Sequence, residues 1–392
     1  MDRIQKSKYD LFILDAFRGL AAFMVMAGHA RWLLWEGFSE GYQKHPELYN
    51  SAEKVLVYIL SVFRYGHESV LFFFVLSGFV IHLRYSKNLV KDKQARFDLF
   101  PFLLRRVKRI YPPFLFVLLF TFALDRIGMS MGWSIYAHQT PNELINNNVQ
   151  LDHSWVNLLG NLVFWQNEQV TVWGSNGPLW SLKYEWWFYM SYPLLYLFTR
   201  RSVYGALFIV ILLFAGAWFL STKSNFFLTS VFIYLLSWWM GTLLADIYSG
   251  RLAWKFSWLA PLILLIPAML VKGSMIGTES VRDVVWGLGF TGVIATCFWL
   301  QEKGFYFRFM KKLKWLGDCS YTLYIIHFPL FVFMNGFLLS RNNNQLPRTQ
   351  IWIIAGIGIA LILSYLLHFI IEKPFIQAKK KETVPVPATP VG

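Results

Sequence analysis

Long apolar runs separated by short polar segments follow one another along nearly the whole chain of 392 residues. A bilayer core of about 30 Å requires about 20 residues of helix. The pattern therefore predicts an all-α, polytopic integral membrane protein with about ten transmembrane helices. These are expected near 11–35, 67–85, 112–128, 183–199, 202–220, 226–248, 254–271, 283–300, 316–340 and 350–371. A shorter apolar run at 155–166 is typical of an interfacial or re-entrant helix.

The composition excludes an ordinary set of soluble domains. Hydrophobic residues make up 56% of the chain and charged residues only 15%, whereas soluble domains average about 25% charged residues. The net charge of +15 would point to a nucleic-acid partner in a soluble protein. In a membrane protein the same charge first determines orientation, so no nucleic-acid partner is expected.

The distribution of Lys and Arg predicts the orientation of the chain. An even number of helices places both termini on one side, and most of the 37 Lys and Arg residues fall on that side. The predicted loop 86–111 is especially basic. The positive-inside rule therefore predicts cytoplasmic termini in the inner or plasma membrane. We expect a cytoplasmic N-terminus (1–10), a membrane domain (11–372) and a disordered, basic and Pro-rich cytoplasmic tail (373–392).

The chain contains two cysteines, Cys297 and Cys319. Both lie in or beside apolar runs, which favours a packing role over a disulfide or a metal site. We therefore expect neither a metal nor a permanently bound cofactor.

The first apolar run contains three polar residues on one helical face. Asp15 and Arg18 are three positions apart, and eleven residues separate Arg18 from His29. Eleven residues make about three helical turns and about 16.5 Å of rise, so Arg18 lies near the cytoplasmic end and His29 much deeper. One interpretation is that these residues only stabilise packing. The functional interpretation is a polar channel, with Arg18 binding an anion and His29 acting as a base. Arg31 is interpreted as a snorkelling anchor.

A strongly basic segment precedes Pro112 and Pro113, which are expected to mark the start of a helix. It is either an ordinary positive-inside anchor or a phosphate-binding site, because arginine forks match phosphate geometry. Its four cations are Arg105, Arg106, Lys108 and Arg109.

Further ionisable residues are predicted near the outer ends of helices. Glu185 and His29 are both predicted in the outer half of the membrane, so their side chains could come into contact. His67 and Glu68 could join them. His327 lies inside the ninth helix, where a packing role is as plausible as a catalytic one. The aromatic neighbours of Glu185 are typical of an interfacial belt. They are Trp180, Trp186, Trp187 and Tyr189.

Five segments, in chain order, resemble the acyltransferase-3 family of membrane O-acyltransferases. The resemblance extends from about residue 10 to residue 372. Ala16 and Phe17 depart from the usual pattern of the first motif, and His67–Glu68 has no counterpart. The matching residues are Asp15-x-x-Arg18-Gly19 with Arg18-x10-His29, Ser77-Gly78-Phe79, RRVKRIYP at 105–112, WSLKYE at 180–185 and SYTLYIIH at 320–327.

The resemblance implies transfer of an acyl group, usually acetyl, from cytoplasmic acetyl-CoA to a hydroxyl of a glycan or glycolipid. Acetyl-CoA, the acceptor and membrane lipids are then the expected partners. His29 would act as general base or carry the acyl group covalently, and Glu185 would orient His29 or bind the acceptor. The expected donor-binding residues are Arg18, Arg105, Arg106, Lys108 and Arg109. The expected supporting residues are Asp15, Ser77, Ser181 and His327.

Two other functions are compatible with intramembrane charges. A transporter of a glycan or small solute would also need buried Asp, Arg, His and Glu residues, but it leaves the Arg18–His29 spacing and the RRVKRIYP segment unexplained. A non-catalytic scaffold for glycan assembly would not need His29. The sequence leaves the acceptor, the length of the acyl group and the oligomeric state open.

Overall fold

The computed structural model describes residues 9–166, 169–221 and 227–376. Within these ranges the chain forms α-helices joined by short 3₁₀ and π turns, without a β-strand. The helices are α1 (Phe12–Leu33), α2 (Ser51–Ser61), α3 (Gly66–Lys91), α4 (Leu99–Ser130), α5 (Glu143–Asn148), α6 (Trp155–Leu162), α7 (Trp180–Arg201), α8 (Val203–Ser221), α9 (Phe227–Ser249), α10 (Phe256–Leu259), α11 (Leu265–Lys272), α12 (Glu279–Glu302), α13 (Lys314–Asp318), α14 (Ser320–Arg341), α15 (Ile351–Leu367) and α16 (Lys373–Ile376).

Among the described residues, eight helices are long and apolar enough to cross a membrane: α1, α3, α4, α8, α9, α12, α14 and α15. This confirms an all-helical, multi-pass membrane protein. Two more helices were expected. The first, α7, has 22 residues, but its Lys, Glu and Tyr residues make it more polar. The run at 254–271 is divided into α10 and α11, because Pro261 begins a 3₁₀ turn between them. The count of ten and the cytoplasmic termini stay predictions.

The basic segment lies within a helix, which corrects two expectations. The structure has no long loop over 86–111, since α3 continues to Lys91 and α4 begins at Leu99. The prediction that Pro112 and Pro113 mark a helix start was also wrong, because α4 continues through both prolines. Proline interrupts the backbone hydrogen bonds of a helix, but α4 packs against α14, whose Tyr321 donates a hydrogen bond to the carbonyl oxygen of Ile110 at 3.2 Å just before the prolines. The basic residues therefore follow helical spacing.

The helices α3 and α9 make the most extensive contact in the molecule. Their backbones approach closely at two glycines. A Cβ atom on Gly78 would lie 1.9 Å from the carbonyl oxygen of Trp238, and one on Gly241 would lie 1.9 Å from that of Val75. Any side chain at these positions would force the helices apart, because packed interiors leave no spare volume.

A buried polar network also joins α3 to α9. His82 Nε2 lies 3.0 Å from Asp246 Oδ1, and its Nδ1 lies 2.8 Å from the hydroxyl of Tyr192 on α7. Arg251 donates a second charged hydrogen bond to Asp246 at 3.3 Å. This network satisfies a carboxylate in the core, as buried charges require. The hydrophobic pattern of the sequence did not single it out.

Both cysteines are buried and free of disulfides, which confirms their packing role. Burial raises the pKa of the Cys319 thiol to about 11, so this thiol stays protonated at neutral pH. The predicted tail at 373–392 is described only as far as α16, and residues 377–392 lie outside the described residues.

Candidate active site

The N-terminal end of the predicted polar face on α1 is an ion pair. Arg18 Nη1 donates to Asp15 Oδ1 at 3.2 Å, which is the contact that their spacing predicts. The other terminal nitrogen, Nη2, donates to the carbonyl oxygen of Gly317 at 3.2 Å, just before α14 begins. Asp15 and Gly317 therefore hold the guanidinium of Arg18 in one orientation.

Arg18 lines a cavity between α1, α3, α4, α7 and α14, which we call the basic cavity. It brings together arginines from two separate parts of the sequence. A half-buried carboxylate and three serine hydroxyls share the lining, so the chamber contains polar groups although it lies among membrane helices. Its polar residues include Arg18, Arg106, Arg109, Ser77, Ser181 and Glu185.

The helical spacing of α4 divides the four predicted donor-binding cations into two pairs. Arg106 and Arg109 are three residues apart and both line the basic cavity. Arg105 instead donates to the hydroxyl of Tyr85 at 3.1 Å, and Lys108 is exposed. The Nε atom of Arg106 is buried without a hydrogen-bond partner in the described structure. A buried unpaired donor of this kind is rare and marks a place for an acceptor from a ligand.

Glu185 and His29 are not brought together. Glu185 accepts a hydrogen bond from the hydroxyl of Tyr189, one turn further along α7, and lines the basic cavity. Ser77 accepts a hydrogen bond from the indole of Trp238 at 3.2 Å. Ser181 lies 2.8 Å from the hydroxyl of Tyr324. Ser77 and Ser181 thus support the walls of the cavity.

The hydrogen-bond partner of His29 is His327 of α14. His29 Nδ1 lies 2.9 Å from His327 Nε2, and His327 Nδ1 lies 2.9 Å from the carbonyl oxygen of Leu323. A carbonyl can only accept, so Nδ1 of His327 carries a proton and Nε2 of the neutral ring accepts. His29 must therefore donate from its own Nδ1, which leaves its Nε2 with a free lone pair.

His29 lines a second chamber, which we call the histidine cavity. Val70 of α3 and Tyr324 of α14 line both this chamber and the basic cavity, so they form the partition between the two. The other polar and aromatic residues that line the histidine cavity are Arg31, Trp32, Phe63, Arg64, His67 and Trp180.

Comparison with known protein families gives one match. The model of an acyltransferase domain matches residues 11–369, nearly the whole chain. The chain belongs to the acyltransferase-3 family. Neither the curated proteins nor the solved structures contain a match to it.

The two cavities give this acyltransferase the parts that acyl transfer needs. A neutral imidazole with a free nitrogen can accept a proton from an attacking hydroxyl. The neighbouring cavity offers three guanidinium groups to an anionic substrate. Val70 and Tyr324 line both this cavity and the one that contains His29.

A histidine–carboxylate pair lies beside the histidine cavity of the acyltransferase. His67 Nε2 lies 3.0 Å from Oδ1 of Asp283, a residue of α12. A carboxylate oxygen of Glu279 joins them within 4.8 Å, so these three groups could hold a divalent cation. The spacing of His67 and Asp283 in the sequence gives no signal for this contact.

Two other features of the acyltransferase site were missed by sequence reasoning. Tyr324 belongs to the SYTLYIIH motif, and its spacing of three residues from His327 could have placed it on the same helical face. Arg64 lies in a short 3₁₀ turn outside any predicted helix, so no periodicity pointed to it.

Proposed function

We propose that this protein is a membrane O-acyltransferase that moves an acetyl group from cytoplasmic acetyl-CoA to a hydroxyl of an extracytoplasmic glycan or glycolipid. The proposal places it in the inner or plasma membrane. The observation that carries it is the hydrogen-bonded His29–His327 pair, which leaves His29 Nε2 free beside a partition next to three clustered arginines.

The basic cavity is the proposed site of the donor. Coenzyme A carries several phosphate charges, and Arg106 and Arg109 offer planar donors that match phosphate oxygens. Arg106 has an unpaired buried Nε in the described structure, which an anionic oxygen would satisfy. Arg18 lines the same cavity from α1 and would contact the part of the donor that leads to the thioester. The carboxylate of Glu185, which Tyr189 holds by a hydrogen bond, would limit the net positive charge of the cavity.

The partition is the proposed place of reaction. His29 Nε2 removes the proton from the acceptor hydroxyl as its oxygen attacks the carbonyl carbon of the thioester. A new C–O bond forms and the C–S bond breaks. The proton on His29 then passes to the leaving thiolate of coenzyme A, which restores the neutral imidazole. His327 keeps Nε2 of His29 directed at the hydroxyl and shares the positive charge that develops on the ring.

A covalent variant uses the same atoms. His29 Nε2 would attack the thioester first, and the acceptor would then take the acetyl group from an acetyl-His29 intermediate. Rapid quenching of enzyme with radiolabelled acetyl-CoA and no acceptor separates the two routes, since only the covalent route leaves label on the protein.

Turnover of acetyl-CoA by the purified protein tests the proposed function. We expect release of coenzyme A in lipid nanodiscs with a hydroxyl acceptor, and loss of that release in His29→Ala. Mass spectrometry of surface glycans from cells with and without the protein should show a missing acetyl mass. Full activity in His29→Ala, or solute flux without consumption of acetyl-CoA, would contradict the proposal.

A further inference from the structure

Two arginines without a carboxylate partner line the histidine cavity. Arg31 follows His29 by two residues at the end of α1, and Arg64 lies just before α3 begins. We propose that the acceptor carries a negatively charged group, a carboxylate or a phosphate, which binds between Arg31 and Arg64. This inference rests on the proposed acyl transfer and specifies the chemical class of its acceptor.

Among the described residues, the guanidinium groups of both arginines form their hydrogen bonds with neutral groups. Arg31 Nη1 reaches the carbonyl oxygen of Leu60 at 3.5 Å. Arg64 donates to the hydroxyl of Tyr65 and lies over its ring at 4.8 Å from the centroid. Within the described ranges, no Asp or Glu oxygen lies within 4.0 Å, the distance of an ion pair, of a guanidinium nitrogen of Arg31 or Arg64. Both therefore keep charged donors for a ligand.

The carboxylates close to this cavity either have another partner or lie outside its lining. Asp283 pairs with His67, and Glu68, which interacts electrostatically with Arg64 without an ion-pair contact in the described structure, does not line the cavity. Arg31 and Trp32 also border a separate outer cavity that contains Glu36 and other acidic residues. Glu36 itself accepts a hydrogen bond from Tyr49. The lining of the histidine cavity consequently contains two fixed positive charges and no acidic side chain, which favours an anion.

The aromatic rings of the same cavity fit the sugar of such an acceptor. Trp32 lies at 6.1 Å from the His29 ring, and Trp180 stacks on the His67 ring at 5.8 Å with an interplanar angle of 16°. Flat indole faces pack against the apolar face of a sugar ring. An acidic sugar would thus place its charge at the arginines while a hydroxyl reaches His29.

A role as membrane anchors is the competing explanation for Arg31 and Arg64, since arginines near helix ends extend towards the interface. An anchor would support stability without regard to the charge of the acceptor. The two explanations therefore differ in acceptor preference, which a matched pair of substrates can measure.

The test compares octyl β-glucuronide with its methyl ester, which lacks the negative charge and carries one additional methyl group, and with octyl β-glucoside 6-phosphate. Each is supplied with acetyl-CoA to the full-length protein in nanodiscs, and acetylated product is measured by mass spectrometry. We expect kcat/KM for at least one anionic glycoside to exceed that for the ester by about tenfold or more. This is the factor that a hydrogen bond to a charged group typically contributes. Whether the uronic acid or the phosphate is preferred then separates the two sources of charge.

The variants Arg31→Gln and Arg64→Gln should lower this preference, because they raise KM for the anionic glycoside more than KM for the ester. Arg341→Gln, an arginine at the end of α14 that lines none of the three cavities, is the matched control. Binding of the same acid and ester to His29→Asn protein, measured by calorimetry, provides a readout that does not need turnover. Equal use and equal binding of acid and ester, or no binding of any anionic glycoside, would overturn the inference. Acetyl-CoA turnover with the ester would still support the proposed function.

Discussion

Nδ1 of His29 lies 2.9 Å from Nε2 of His327, and this contact joins α1 to α14 across the proposed reaction site. The carbonyl of Leu323 determines which nitrogen of His327 carries the proton. Because His29 then donates from Nδ1 to His327, the carbonyl oxygen of Leu323 on α14 determines that Nε2 of His29 on α1 is the unprotonated nitrogen. Orientation of His29 was one of the two roles expected of Glu185, and in the structure His327 is the residue that contacts His29.

Replacement of His29 should abolish the chemistry while leaving the fold intact. His29→Asn keeps an amide near the position of Nδ1 but has no basic nitrogen, so we expect kcat to fall by about 10² to 10⁴. The rate of coenzyme A release by the purified protein measures kcat. His45→Gln, an exposed loop histidine, should retain normal activity. Unchanged kcat in His29→Asn would remove His29 from the mechanism.

Replacement of His327 should affect orientation and not donor binding. His327→Leu removes the acceptor for the His29 proton, and we expect a loss in kcat of about 10- to 100-fold with an unchanged KM for acetyl-CoA. His327→Gln supplies an amide oxygen near the position of Nε2 and should recover part of the rate. Measuring kcat and KM for acetyl-CoA in both variants tests whether His327 orients His29. Equal loss in both variants would indicate that His327 only fills space.

The basic segment of α4 contains its own matched controls. Arg106→Gln and Arg109→Gln each remove a charge from the basic cavity, so KM for acetyl-CoA should rise by about tenfold or more. Arg105→Gln and Lys108→Gln remove the same charge from neighbouring positions that do not line the cavity, and should change KM little. Initial rates over a range of acetyl-CoA concentrations measure the difference. An equal rise for all four would indicate a general electrostatic effect.

The crossing of α3 and α9 should not tolerate a side chain at Gly78. Its Cβ would lie 1.9 Å from the carbonyl oxygen of Trp238, so Gly78→Ala should lower the free energy of unfolding by about 1–3 kcal/mol. Thermal unfolding in detergent measures the change as a lower Tm. Gly358→Ala on α15 meets no atom within 4 Å and should leave Tm unchanged or slightly higher. Equal Tm values for Gly78→Ala and wild type would refute the close approach.

Cysteine labelling tests the predicted orientation. The native thiols are buried, and replacing both by alanine provides a background without cysteine. Lys93→Cys lies between α3 and α4, and Glu143→Cys lies at the start of α5. With cytoplasmic termini, a membrane-impermeant maleimide added to intact cells should label position 143 and spare position 93 until the membrane is opened. The reverse pattern would invert the topology, and with it the sides assigned to donor and acceptor.

Local spacing correctly predicted the membrane architecture and the polar face of α1. Hydrophobic runs were enough for the eight apolar helices, because the length that crosses a bilayer is a property of the chain alone. The Asp15–Arg18 contact also followed from sequence, since residues three apart on a helix are neighbours. The helix predicted at 183–199 is present as α7, but its polar residues keep it out of this group, and the apolar run predicted at 254–271 is divided by a 3₁₀ turn that contains Pro261.

Non-local contacts decided the rest of the site. The pairing of His29 with His327 and of His67 with Asp283 joins residues far apart in the chain, which no periodicity reports. Because α4 is helical before and after Pro112, Arg106 and Arg109 are the two cations of the basic segment that line the basic cavity. By itself, the sequence determined which residues are costly to bury in a membrane, because that depends on chemical type. Only the packing of helices decided which of them meet, since hydrogen bonds and cavities depend on the positions of separate segments.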